Sequence, residues 1–165
     1  MSYNILRKIQ LLFNFPFWWI ISKKKKYFNF VFPNLRFIRS KRFNYQHLPI
    51  CNQKTLLTGK GEISIGKNCK FGYKPGGFHR GGSIELQARY KNAIINIGNN
   101  VATNNNIFIC AANNIEIGSN TLIGQNVTIM DFEAHGILPH LRNKVGEIGN
   151  VILGENVWIG IMLQY

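Results

Sequence analysis

Between Ile95 and Met130 the chain keeps a six-residue period, and few folds can satisfy it. Ile97, Thr103 and Ile109 stand in one register, and Ile117, Ile123 and Ile129 in a second register two residues later. Six is neither the period of a helix nor that of a strand. Gly follows the aliphatic position at Gly98, Gly118 and Gly124, and a small or β-branched residue comes four places after it at Val101, Ile107, Thr121 and Val127. Each unit reads as a short strand plus a corner. Its aliphatic side chain turns inward once per unit, so stacked units build a continuous apolar column. This is the hexapeptide pattern of a parallel β-helix, an all-β solenoid. The corners Gly98-Asn99-Asn100, Gly118-Ser119-Asn120 and Gly124-Gln125-Asn126 hold residues that tolerate positive φ and bond locally to the backbone. The register returns at Ile65-Gly66-Lys67-Asn68-Cys69, Leu153-Gly154-Glu155-Asn156-Val157 and Ile159-Gly160. The alternative, an antiparallel sandwich with Asn/Gly turns, requires alternation with period two and variable loops.

Departures from the period divide the chain. With 165 residues it has room for one domain with a real core. The repeat is expected over 51–160, after an N-terminal segment 1–50 and before a short tail 161–165. Pro75-Gly76-Gly77 cannot continue a coil, so residues 72–83 are expected to loop out. A longer interruption, 131–150, separates Met130 from the restart at Val151. Between Ile109 and Ile117 the step is eight, which puts two extra residues into a corner near Asn113-Asn114. Cys51, Cys69 and Cys110 form no even disulfide set, Cys69 fills a small-residue slot, and a reducing compartment fits.

The net charge of +13 is concentrated at one end, since residues 1–50 carry ten Lys and Arg and no acid, leaving only +3 for the rest. Ile5, Ile9, Leu12 and Phe13 have helical spacing, ended by Pro16. The apolar run from Leu11 to Ile21 is about half of the ~20 residues that a bilayer crossing needs. Lys23 to Lys26 stand where a signal peptide would need a small-residue cleavage site. Phe17, Trp18 and Trp19 beside those lysines give residues 1–26 the look of an anchor on an anionic membrane surface, and the protein that of a cytoplasmic one peripheral to the inner face of the membrane. A helix packed on the side of the repeat is the other reading. Aromatic-basic interleaving from Tyr27 to Tyr45 also occurs in nucleic-acid binders, but no recognised nucleic-acid motif surrounds it, and nucleic acid is not expected as a partner.

His135 stands at the mouth of the second interruption, with Asp131 and Glu133 four and two places before it. An imidazole can accept a hydroxyl proton at physiological pH, and a neighbouring carboxylate can fix its tautomer. The hexads, the loop opening on Asp-x-x-x-His-Gly, Leu141-Arg142 and the restart Asn156-Val157-Trp158-Ile159-Gly160 together resemble the hexapeptide-repeat acyltransferases, over roughly Gly61 to Gly160. The branch they resemble most is that of the maltose, galactoside and capsular-sugar O-acetyltransferases. The resemblance implies a left-handed parallel β-helix and transfer of acetyl from acetyl-CoA to a sugar hydroxyl, as in surface-polysaccharide synthesis, without a metal. It implies a homotrimer with the site between adjacent subunits. His135 would be the general base, Trp158 and Gly160 would lie near coenzyme A, and Asn104 or Asn105 would line the acceptor pocket. Asp131, Glu133 and Arg142 would orient the base or the acceptor.

One feature departs from the family. Further coils are expected after Gly160, where this chain reads Ile161-Met162-Leu163-Gln164-Tyr165, and a product cut short, poorly soluble or inactive, is therefore expected. Two other functions compete. One is a non-enzymatic or inactive solenoid module. The other is a γ-class carbonic anhydrase, which His135 and His140 resemble in spacing, although the remaining histidines, His47 and His79, lie outside the repeat where a third zinc ligand is needed.

Overall fold

A computed structural model describes residues 26–160. The helical and membrane expectations for the first 25 residues and the tail 161–165 fall outside the described part. Among the described residues the chain forms fourteen strands in three parallel sheets. Sheet A contains β1 (Phe43–Tyr45), β4 (Glu62–Ile65), β7 (Ile94–Ile97), β10 (Asn114–Ile117) and β13 (Asn150–Leu153). Sheet B contains β2 (Ile50–Cys51), β5 (Lys70–Phe71), β8 (Ala102–Thr103), β11 (Leu122–Ile123) and β14 (Trp158–Ile159). Sheet C contains β3 (Thr55–Gly59), β6 (Ile84–Ala88), β9 (Ile107–Ala111) and β12 (Thr128–Met130). The chain visits A, B and C in strict rotation, an order compatible with a parallel β-helix. The first coil draws in Phe43, on the N-terminal side of the expected start at residue 51.

The registers explain why the six-residue period works. Ile63, Ile95, Ile115 and Val151 are direct partners in sheet A, as are Ile65, Ile97, Ile117 and Leu153. In sheet B, Phe71, Thr103, Ile123 and Ile159 align. In sheet C, Leu57, Leu86, Ile109 and Ile129 align. These columns converge on one core, and the second inward position of each unit, at Val101, Ile107 and Thr121, is also buried. Ile152 pairs with Glu116 on the outer face of sheet A and is 68% exposed, so the inward residues of the last strands are Val151, Leu153, Val157 and Ile159.

Gly and Asn divide the work at the corners. Asn68, Asn100, Asn120, Asn126 and Asn156 take positive φ between 57° and 61°, a conformation Asn tolerates better than most residues. Their side chains bond along the stack, Asn68 to Asn100 at 3.3 Å and Asn100 to Asn120 at 3.0 Å. The repeat glycines have ordinary φ, and what they supply is space: a Cβ on Gly118 would lie 2.3 Å from the Gly154 carbonyl oxygen. The extra residues between Ile109 and Ile117 form the corner Ala112-Asn113 between β9 and β10.

Residues 27–38 close the first coil. A π-helical turn (Tyr27–Val31), a 3-10 turn (Phe32–Asn34) and helix α1 (Leu35–Ile38) follow one another, burying Phe30, Asn34 and Phe37. The edge strand β3 would otherwise present unpaired backbone groups. Asn34 Nδ2 donates to the Phe30 and Thr55 carbonyls at 2.7 and 2.8 Å, and the Leu57 N–H donates to Asn34 Oδ1. Asn29 donates to the carbonyls of Cys51 and Asn52, and Arg42 to that of Gly59. Residues 27–38 thus pack against the end of the repeat.

Two outcomes are expected. Asn34→Ala takes this partner from three buried backbone groups, the Phe30 and Thr55 carbonyls and the Leu57 N–H, and should lower stability by about 2–4 kcal/mol in urea unfolding. All three thiols are free and buried. Burial pushes the Cys51 thiol up from 9.0 to about 12, with a Thr55 hydrogen bond opposing. A thiol raised in the folded state stabilises it below the unfolded value and loses that contribution as pH rises from 9.0 toward about 12. Iodoacetamide should therefore label Cys51 at neutral pH only after unfolding, and stability should fall above that lower limit.

Candidate functional site

The segment 131–149 leaves the coil between β12 of sheet C and β13 of sheet A. Its two legs are stitched together. Phe132 and Ile148 form an antiparallel bridge, and backbone hydrogen bonds run from Gly149 to Asp131, Glu133 to Glu147, Gly146 to Glu133 and Gly136 to Lys144. Gly136 and Gly146 let the legs meet: a Cβ on Gly146 would lie 2.4 Å from Glu133 Oε2. A 3-10 turn, Pro139–Leu141, reverses the chain at the tip. The loop therefore has a defined shape in which a side chain can be held.

His135 sits on the first leg with its ring exposed. Its Nδ1 lies 2.9 Å from the Arg142 carbonyl oxygen across the loop. A carbonyl only accepts, so Nδ1 carries the hydrogen, and in the neutral ring Nε2 keeps its lone pair. Arg142 thus meets His135 through its backbone, while its side chain points to solvent. This peptide carbonyl does the orienting that the sequence suggested for a carboxylate.

Asp131 and Glu133 are occupied elsewhere. Asp131 is buried, and its two oxygens accept from the Ala112 N–H at 2.6 Å and the Asn113 N–H at 2.8 Å. Those are the amides of the enlarged corner on the coil above, whose extra residues have left the sheet hydrogen bonding. Asp131 therefore pins that corner to the base of the loop. Glu133 is exposed, and its Oε2 accepts weakly from the Glu147 N–H within the same loop.

Asn105 is fully buried and holds the other loop, residues 72–83. It accepts from the Tyr73 N–H at 2.9 Å and donates to the carbonyls of Tyr73 and Gly77. Gln53, which the sequence did not single out, donates to the carbonyls of Phe78 and His79 and accepts from the Asn106 N–H. With every polar atom of its amide engaged, Asn105 is a clamp rather than a lining for an acceptor. Its neighbour Asn104 lines a shallow cavity of about 310 Å³ on the outer face of sheet B, together with Lys70, Tyr73, Leu122, Gly124 and Trp158. Trp158 is 78% exposed there, and among the described residues no atom beyond its chain neighbours comes within 4 Å of where a Cβ on Gly160 would be. Two of the expected positions thus share a cavity, and His135 is not among its lining residues.

Among the described residues no three His, Cys, Asp or Glu side chains gather into a metal-binding group. Comparison with family models, with curated proteins and with solved structures finds no match to this chain.

The geometry makes Asp131 a stability residue. Asp131→Ala should cost about 2–4 kcal/mol by chemical denaturation, because one of the two N–H groups it leaves is buried. Asp131→Asn, which keeps one acceptor, should cost less, and equal losses for the two variants would contradict the clamp.

Proposed function

We propose that this chain is an O-acyltransferase that moves an acetyl group from acetyl-CoA to a sugar hydroxyl, built as a left-handed parallel β-helix, with His135 as its base. The observation that carries this reading is the His135 to Arg142 carbonyl bond, which leaves Nε2 as an exposed proton acceptor on a braced loop. Acetyl-CoA supplies the thioester. His135 Nε2 would take the hydroxyl proton as the sugar oxygen attacks the acetyl carbon, and the resulting imidazolium would return a proton to the departing thiolate. No covalent enzyme intermediate is needed, and holding both reactants together supplies much of the rate.

The two halves of such a site are anchored at different places. The His135 loop leaves at the edge between sheets C and A, which is the edge opposite the outer face of sheet B that carries Trp158. We infer that a second copy completes the site, in a homotrimer. Ile50, Lys70, Ala102, Leu122 and Trp158 form one aligned row across that face, with Ile50 56% and Leu122 52% exposed. The loop offers Ile137 and Leu138, also exposed, as a matching apolar surface.

Thiol release from acetyl-CoA in the presence of sugar acceptors tests the chemistry. His135→Ala should lower turnover by roughly 10²-fold or more, and a loss below about tenfold would remove His135 from the role of base. Trp158→Ala should raise KM for acetyl-CoA. Mixing unfolded His135→Ala and Trp158→Ala chains and refolding them together should restore part of the activity if the site lies between copies, and none if one chain holds both residues.

A further inference from the structure

The N-terminal cap of the coil has a second face that is exposed. From Tyr27 to Ile38 the backbone is helical almost throughout. Phe30, Asn34 and Phe37, spaced by four and three residues, face the first coil and are buried. Phe28, Phe32, Arg36 and Arg39 repeat at the same spacing on the opposite side, and all four are exposed. Phe32 packs against Phe28 at 5.5 Å and against Tyr27 at 5.7 Å between ring centroids, so three aromatic rings form one surface cluster. These rings are 42%, 59% and 53% exposed at Tyr27, Phe28 and Phe32. Residues 26–42 carry five basic side chains and no acid.

We propose that this exposed aromatic-basic face of residues 27–39 docks on an anionic lipid surface, setting the coil end-on to the membrane. An amphipathic helix with aromatics flanked by Lys and Arg suits the boundary of headgroups and acyl chains, and a positive field with no acid in it complements anionic lipid. The cap lies at the end of the coil, against the edge strand β3. Lys23, Lys24 and Lys25 directly precede it in the sequence and add charge of the same sign. Lipid fits the rings better than nucleic acid does. They meet at interplanar angles of 79° and 36°, so they present no set of parallel faces for successive bases to stack on. The proposal is independent of the acyl-transfer chemistry.

Vesicle flotation of the full chain tests it, with phosphatidylcholine alone against phosphatidylcholine containing phosphatidylserine. Binding is expected to the anionic vesicles and to weaken with salt. Arg36→Gln with Arg39→Gln should reduce binding by roughly tenfold or more at low salt. Phe28→Ser with Phe32→Ser should reduce it at every salt concentration, with melting temperature checked for both pairs. Equal flotation on neutral and anionic vesicles, or none on either, overturns the proposal. So does undiminished flotation of both pairs while Lys23→Gln, Lys24→Gln and Lys25→Gln together abolish it, since docking would then belong to the preceding segment. A Phe28/Phe32 pair that melts lower yet floats like the parent means that the rings are covered by the chain itself, and also overturns it. Arginine-dependent binding of a single-stranded oligonucleotide in place of vesicles would assign the face to nucleic acid.

Discussion

Vertical register is the constraint on which the rest of this structure depends. Each inward side chain touches its counterpart one coil away, so the columns Ile63-Ile95-Ile115-Val151 and Leu57-Leu86-Ile109-Ile129 must stay aligned at every turn. A slip of one residue would send every inward group to the outer face. The corners carry the burden of preventing that slip. Asn at positive φ turns the chain in a fixed number of residues, Gly lets successive corners stack without a Cβ between them, and amide-to-amide bonds between stacked asparagines tie one corner to the next. Hydrophobic burial drives the stacking, and corner chemistry decides its register.

In two places a coil side chain takes charge of backbone that leaves the repeat. Residues 72–83 are gripped by Asn105 and Gln53, and the enlarged corner at Ala112-Asn113 is gripped by Asp131 from the next coil. Each clamp is a short polar side chain, buried and fully engaged, that replaces hydrogen bonds the sheets cannot supply. The loop that bears His135 is braced differently, by its own two legs. That leaves His135 on the first leg facing solvent.

The sequence made the repeat legible because inward contacts in a coil are nearly vertical, so packing maps directly onto a linear period. Both interruptions were legible too, as Pro75-Gly76-Gly77 and as the silence of the clock after Met130. The first coil was harder to see. Phe43, Cys51 and Leu57 are inward, but the corner between β1 and β2, Gln46-His47-Leu48-Pro49, lacks the Gly-x-Asn signal. This coil is sealed on one side by helical residues, and Asn34, Asn29 and Arg42 replace the neighbour a middle coil would have. The roles of Asp131 and Asn105 were not legible at all. A carboxylate or amide near a loop looks the same in sequence whether it faces a substrate or a backbone N–H, and only the burial of Asp131 and Asn105 separates the two.

The same distinction bears on His135. An imidazole that worked as a structural clamp would be buried with both nitrogens engaged, as Asp131 and Asn105 have all their polar atoms engaged. His135 is exposed, and one hydrogen bond, to a main-chain carbonyl, fixes its tautomer. Because that carbonyl belongs to the opposite leg, the tautomer depends on the loop keeping its shape and not on the charge of any neighbouring side chain. Changes to the Arg142 side chain should therefore leave the His135 tautomer in place, whereas changes that part the legs, such as a side chain at Gly136 or Gly146, should release it. A loop organised by backbone in this way can vary its surface charges while the imidazole Nε2 keeps its lone pair and its place.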